Sequence, residues 1–167
     1  GAGVVFTNLT GTGPAGNVSF KIVDSGAGLE VLLTPGDRDS NTDAIGGTIN
    51  SDSDDIGISD QWIDPSPDVL RIDYGNFSIV SNQFQIDSHT TVNGARFQLV
   101  QVGGPPGNTI TVQVRAFDAN DDENLINDPR DTVSRVRIYD TNGTTLLADR
   151  TLAEGDGSEG GFTFDFQ

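Results

Sequence analysis

The chain has no cysteine, so disulfides, thiolate metal sites and a thiol nucleophile are all closed to it. It has a single histidine, His89, which removes zinc chemistry built on His and Cys ligands. Methionine is missing even at position 1, and the chain reads as a processed or excerpted one. No run approaches the ~18 apolar residues of a bilayer-crossing helix, so no membrane span is expected, and no signal peptide is recognisable. Lysine occurs once, at Lys21, beside eight arginines. Glutamate is nearly as scarce: Glu30, Glu123, Glu154 and Glu159 are the only four among 25 acidic residues. Helix surfaces recruit Glu and Lys, which lose little rotamer freedom there, and the pattern holds no helical period of useful length.

What is abundant is aspartate, 21 residues of 167. Asp favours turns and caps over helix interiors, and its short carboxylate suits hard cations such as calcium. The formal charge is −16 and the pI about 4.1. Such a surface repels nucleic acid and anionic membranes, so no nucleic-acid partner is expected. A domain that works outside a cell without disulfides draws rigidity from elsewhere, bound metal or neighbouring copies being two sources.

Two-residue alternation dominates the chain. Leu29, Val31 and Leu33 keep the two-residue spacing after a Ser-Gly-Ala-Gly turn, while Val18, Phe20 and Ile22 alternate with Ser19 and Lys21, and Leu70, Ile72 and Tyr74 with Arg71 and Asp73. The same holds for Ile110 to Ala116, for Val136 and Ile138, and for Phe162, Phe164 and Phe166. Each short run is bounded by Gly, Pro, Asn or Asp, the signature of half-buried antiparallel strands. Roughly ten to twelve strands fit, too many for one open sheet and suited to two packed sheets. The expectation is therefore an all-β chain, an antiparallel β-sandwich of Ig-like or jelly-roll type, forming one domain over residues 1–167. Asn142-Gly143 is the clearest hairpin turn. Strand-like ends at 3–9 and 161–166 belong either to the domain's own sheets or to contacts with neighbouring copies.

Two long loops and one short turn concentrate the acids. In "GDRDSNTD" (36–43), Asp37, Asp39, Asn41 and Asp43 place oxygen side chains at alternate positions. An irregular loop can bring such oxygens to one point, as calcium with its 6–8 ligands requires. It is not an EF-hand loop: Thr42 replaces the sharp-turn Gly and Thr48 the bidentate Glu. In "DANDDENLINDPRD" (118–131), Asp118, Asn120 and Asp122 repeat the spacing, with Asp121, Glu123, Asp128 and Asp131 nearby. Asp52, Asp54 and Asp55 form a third cluster in a Ser-rich turn. Unneutralised, these carboxylates repel one another. The plainer reading is a set of solvated turns that keep strand edges from aggregating.

Other sites read more weakly. His89 in "DSHTT" comes with no nucleophile elbow and is expected in a surface turn. Paired carboxylates for glycoside hydrolysis need a geometry that a sequence does not supply, and the chain is expected not to be an enzyme. Trp62 in "SDQWIDPSPD", beside Asp60, Asp64 and Asp68, reads as a core or lid residue first and as a sugar platform second. Sequons at Asn8, Asn17, Asn76 and Asn142 are candidate glycosylation sites.

The segment "IGISDQWIDPSPDVLRIDYGNF" (56–77) resembles a block of the repeat domains of very large type I-secreted, RTX-associated bacterial surface adhesins, which are Ig-like and cadherin-like. The match lies in Gly57-Ile58, Trp62-Ile63-Asp64 and Leu70-Arg71-Ile72-Asp73-Tyr74. The family's acid-bearing turn is "PSPD" here, with Asp68 the nearest equivalent. "ITVQVRAFDANDD" (110–122) resembles a strand entering a calcium-ligating turn. The resemblance implies an extracellular, cell-surface module, calcium at loops and junctions, and copies of itself or neighbouring repeats as partners. It supplies no catalytic residue, and the glycine-rich nonapeptides of the calcium β-roll are absent. The expected function is a structural or adhesive module, an adhesin repeat or a filament subunit. The alternative is a calcium-dependent carbohydrate-binding module with surface glycans as ligand.

Overall fold

A computed structural model describes residues 11, 20–37, 48–51, 56–58, 68–96, 110–114, 116–117, 130–131, 134–139, 144–151 and 162–166. The described part is all-β and antiparallel. Its strands are β1 (Lys21–Asp24), β2 (Glu30–Asp37), β3 (Ile49–Ser51), β4 (Ile56–Ile58), β5 (Asp68–Val80) and β6 (Gln83–His89). They continue with β7 (Ile110–Val114), β8 (Ala116–Phe117), β9 (Arg130–Asp131), β10 (Arg135–Tyr139), β11 (Leu146–Thr151) and β12 (Phe162–Phe166). Two compact units result, one holding β1 to β6 and the other β7 to β12.

In the first unit β1, β2, β5 and β6 form a four-stranded sheet in that order. The β1–β2 turn is the Ser-Gly-Ala-Gly stretch. Gly26 accepts the positive φ there without a Cβ penalty, and its N–H donates to Asp24 Oδ1 at 2.7 Å. Ser25 Oγ donates to the Leu29 carbonyl at 2.6 Å and closes the turn. The β5–β6 turn is Ser81-Asn82, both at positive φ, as a two-residue hairpin loop demands.

Alternation describes this sheet only in part. On one face Val23, Val31 and Leu33 pack with Ile49 and Ile58 of the β3–β4 hairpin, flanked by Leu70, Ile72 and Tyr74. On the other, Phe20, Ile22 and Leu32 pack with Phe77, flanked by Phe84 and Ile86. Strand β2 is therefore buried continuously from Val31 to Pro35, as a central strand covered on both faces is. The second cluster depends on a bend. The β5–β6 pairing shifts register between Asn76 and Phe77, and such a bulge bends and twists a ladder. Beyond it the arm returns Phe84 edge-on to Phe20, with ring centroids 5.3 Å apart.

In the second unit β7 pairs with β12, β8 with β9 and β10 with β11. The C-terminal segment expected at 161–166 is thus β12, aligned from Phe162 opposite Val114 to Phe166 opposite Ile110. Strands β10 and β11 flank Asn142-Gly143 and pair antiparallel, as the hairpin reading requires.

Candidate functional site

Most residues of the expected calcium loops lie outside the described residues: Asp39, Asn41, Asp43, Asp52, Asp54, Asp118, Asn120 and Asp122. So do Trp62 and Asp64, the sequons Asn8, Asn17 and Asn142, and the strand expected at 3–9. What the structure places is the strand framework on which the acidic segments stand. Asp37 ends β2 directly opposite Asp68, the first residue of β5. The 36–43 run thus leaves the sheet at that pair. The second cluster connects two paired strands, since Ser51 faces Ile56 and residues 52–55 join them. The third run is bracketed by the β8–β9 ladder, in which Phe117 faces Arg130 and Ala116 faces Asp131. Among the described residues no three His, Asp or Glu side chains converge as a metal-binding group.

The best-built polar group within the described residues was not expected. Arg71 and Asp73, two apart on β5, share a sheet face, and Arg71 reaches back with Nε 2.7 Å and Nη2 2.9 Å from the two Asp73 oxygens. Asp73 is buried, its side chain 6% exposed, and the Arg71 side chain is 17% exposed. His89 is the last residue of β6, opposite Gly75, and its Nε2 lies 3.6 Å from Asp73 Oδ1. The surface turn expected for His89 is therefore replaced by a largely enclosed position in the sheet. Gly75 makes that close approach feasible: a Cβ there would lie 2.0 Å from the Ser88 carbonyl oxygen. Beside it, Glu30 accepts the Phe77 N–H through Oε2 at 2.7 Å. A carboxylate thus serves the backbone of β5 just past Gly75, the residue opposite Glu30 at the start of β2.

The signal that could have located this group is the Arg71-x-Asp73 spacing itself. Two opposite charges at a period of two, inside an apolar alternation, meet on one sheet face. Arg71 and Asp73 pair within β5, and His89 brings β6 against the same carboxylate, so the three residues form an enclosed polar fastening of the sheet. Burial also raises the pKa of the Tyr74 hydroxyl above its ordinary value, because the phenolate is harder to solvate there.

Asn76, the one sequon asparagine within the described residues, is exposed on β5, and its Nδ2 donates to Ser88 Oγ at 3.0 Å. In the second unit Arg135 grips Asp149 across the β10–β11 ladder, Nε donating to Oδ1 at 2.8 Å. That hydrogen bond holds the Asp149 carboxyl below its usual range, with the Arg135 and Arg137 charges adding to the effect. Arg137 lies 3.8 Å from the same carboxylate, and Arg96 stacks 4.8 Å over the Tyr139 ring.

Comparison with protein-family models, with curated proteins and with solved structures finds no match. No helix among the described residues is long and apolar enough to cross a membrane.

Proposed function

We propose that the chain is a non-catalytic extracellular structural or adhesive module, an adhesin repeat or filament subunit at the cell surface. Its fold is an Ig-like or jelly-roll β-sandwich, and calcium bound in the Asp-rich loops makes those loops rigid. One observation carries the reading: each acidic run starts or ends on antiparallel pairing. The Asp37–Asp68 position starts one run, the Ser51–Ile56 pair brackets the second, and the Phe117–Arg130 pair brackets the third. A cation bound by the oxygens of such runs relieves the repulsion among their carboxylates. A resident ion bound only by the folded state adds stability by linkage.

Isothermal titration with calcium tests the site assignment. The wild-type chain is expected to bind saturably. The variants Asp39→Asn/Asp43→Asn and Asp118→Asn/Asp122→Asn are each expected to lose part of the binding. No heat of binding for the wild-type chain, with calcium in the millimolar range, would overturn the proposal.

A further inference from the structure

The β10–β11 hairpin carries a surface of unusual character for this chain. In an antiparallel ladder, opposed residues share a face. Arg137 opposite Asp149 and Arg135 opposite Thr151 therefore stand in one patch. The Arg135 and Arg137 side chains are 46% and 45% exposed. Among the described residues of the patch, two guanidiniums share the Asp149 carboxylate. The register moves from Ile138–Ala148 to Tyr139–Leu146, which leaves Leu147 as the extra residue of a bulge, 64% exposed. Leu146 beside it is 47% exposed. Arg96 extends the basic row over Tyr139 at the same end of the hairpin. Three of the nine basic residues of the chain are thus gathered with a tyrosine and two exposed leucines. Arginine and tyrosine are enriched among the residues that dominate protein interfaces.

We propose that this patch docks on an acidic surface of a second copy of the same chain. Charge complementarity selects that occupant. Residues 1–94 hold 13 acidic residues against three basic ones, whereas residues 95–167 hold 12 against six. A basic patch on one copy and an acid-rich surface on another make a head-to-tail contact. Such a contact does not pair a patch with itself, and it propagates as a ring or an open filament. The net charge of −16 opposes association at long range. At physiological ionic strength the screening length is about 8 Å, so distant repulsion fades while contact pairs survive.

Sedimentation equilibrium in about 0.15 M salt with chelator tests this apart from the calcium proposal. For the wild-type chain the average mass is expected to rise above 17.6 kDa with concentration. It should fall back to the monomer value in about 1 M salt, where screening reaches contact range. Arg135→Glu/Arg137→Glu should weaken association at least tenfold. Arg137→Glu alone, which leaves the Arg135–Asp149 pair in place, should weaken it severalfold and keeps the test open if the double variant misfolds. A wild-type chain that stays monomeric at millimolar concentration would overturn the proposal, and so would association indifferent to either charge reversal.

Discussion

Replacing Asp73 by Asn keeps the shape of the side chain and removes its charge, leaving the Arg71 guanidinium without its bidentate partner. Asp73 is 6% exposed and Arg71 17%, so water recovers only part of what the guanidinium loses. Removing one partner of a buried pair costs about 3–5 kcal/mol. The residual access of Arg71 to solvent argues for a loss at or below the bottom of that range, about 2–3 kcal/mol. In a domain of this length each kcal/mol moves the midpoint by about 2–4 °C, so a fall of roughly 4–12 °C is expected. The assay is urea unfolding followed by far-UV circular dichroism, with a thermal scan beside it. The companion variant is Arg71→Met/Asp73→Leu, which removes both charges and fills the space. Because desolvating two charges is itself costly, this double variant should lie within about 1 kcal/mol of wild type. If Asp73→Asn unfolded within about 0.5 kcal/mol of wild type, as an exposed pair would, the buried fastening would be refuted. A double variant as unstable as the single one would refute it equally.

Gly75→Ala places a methyl 2.0 Å from the Ser88 carbonyl and should cost about 1–3 kcal/mol, read by the same urea titration. Leu32→Ala opens a cavity beneath Phe20 and Phe77, with a loss of about 2–5 kcal/mol; a loss under 1 kcal/mol would argue against a core on that face. Tyr74 has a raised pKa in the folded state, so its contribution to stability is complete at neutral pH. That contribution is lost as pH climbs through the ordinary tyrosine range toward the folded value, and Tyr74→Phe should lessen the alkaline destabilisation. Asp149 has a depressed pKa, so its pairing with Arg135 favours the fold above the ordinary carboxylate range and fades as pH falls through the folded value. Arg135→Gln should return the Asp149 carboxyl resonance to an ordinary titration midpoint by NMR.

The all-β character was legible because period-two alternation and Gly, Asn and Asp punctuation are local properties of the chain. The Leu70, Ile72 and Tyr74 alternation located one core face correctly. It assigned Arg71 and Asp73 to a polar exterior, however, because alternation alone cannot tell a solvated face from a second core. Leu32 was missed for the same reason: between Val31 and Leu33 it reads as an interruption, yet it is 1% exposed. The second core depends on the bulge at Asn76/Phe77 and on the returning arm that brings Phe84 to Phe20. That is a contact between residues 64 apart in sequence, and no local pattern encodes it. His89 was misplaced because "DSHTT" has the composition of a turn, whereas pairing with Gly75 makes it a strand end. The acidic runs were read as loops from composition, and most of their residues lie outside the described ones. Their anchoring on paired strands became visible only through the register of β2 with β5, β3 with β4 and β8 with β9.

Differential scanning calorimetry of the chain, in chelator and then in calcium, shows whether the folded protein holds the ion. At calcium a hundredfold above its dissociation constant, binding to the folded state alone adds about 2.7 kcal/mol per site. For one site this corresponds to a midpoint higher by roughly 5–11 °C. Such a rise is expected with calcium, and magnesium at equal concentration should give much less because it dehydrates reluctantly and demands octahedral geometry. Superimposed thermograms with and without calcium would contradict the calcium assignment.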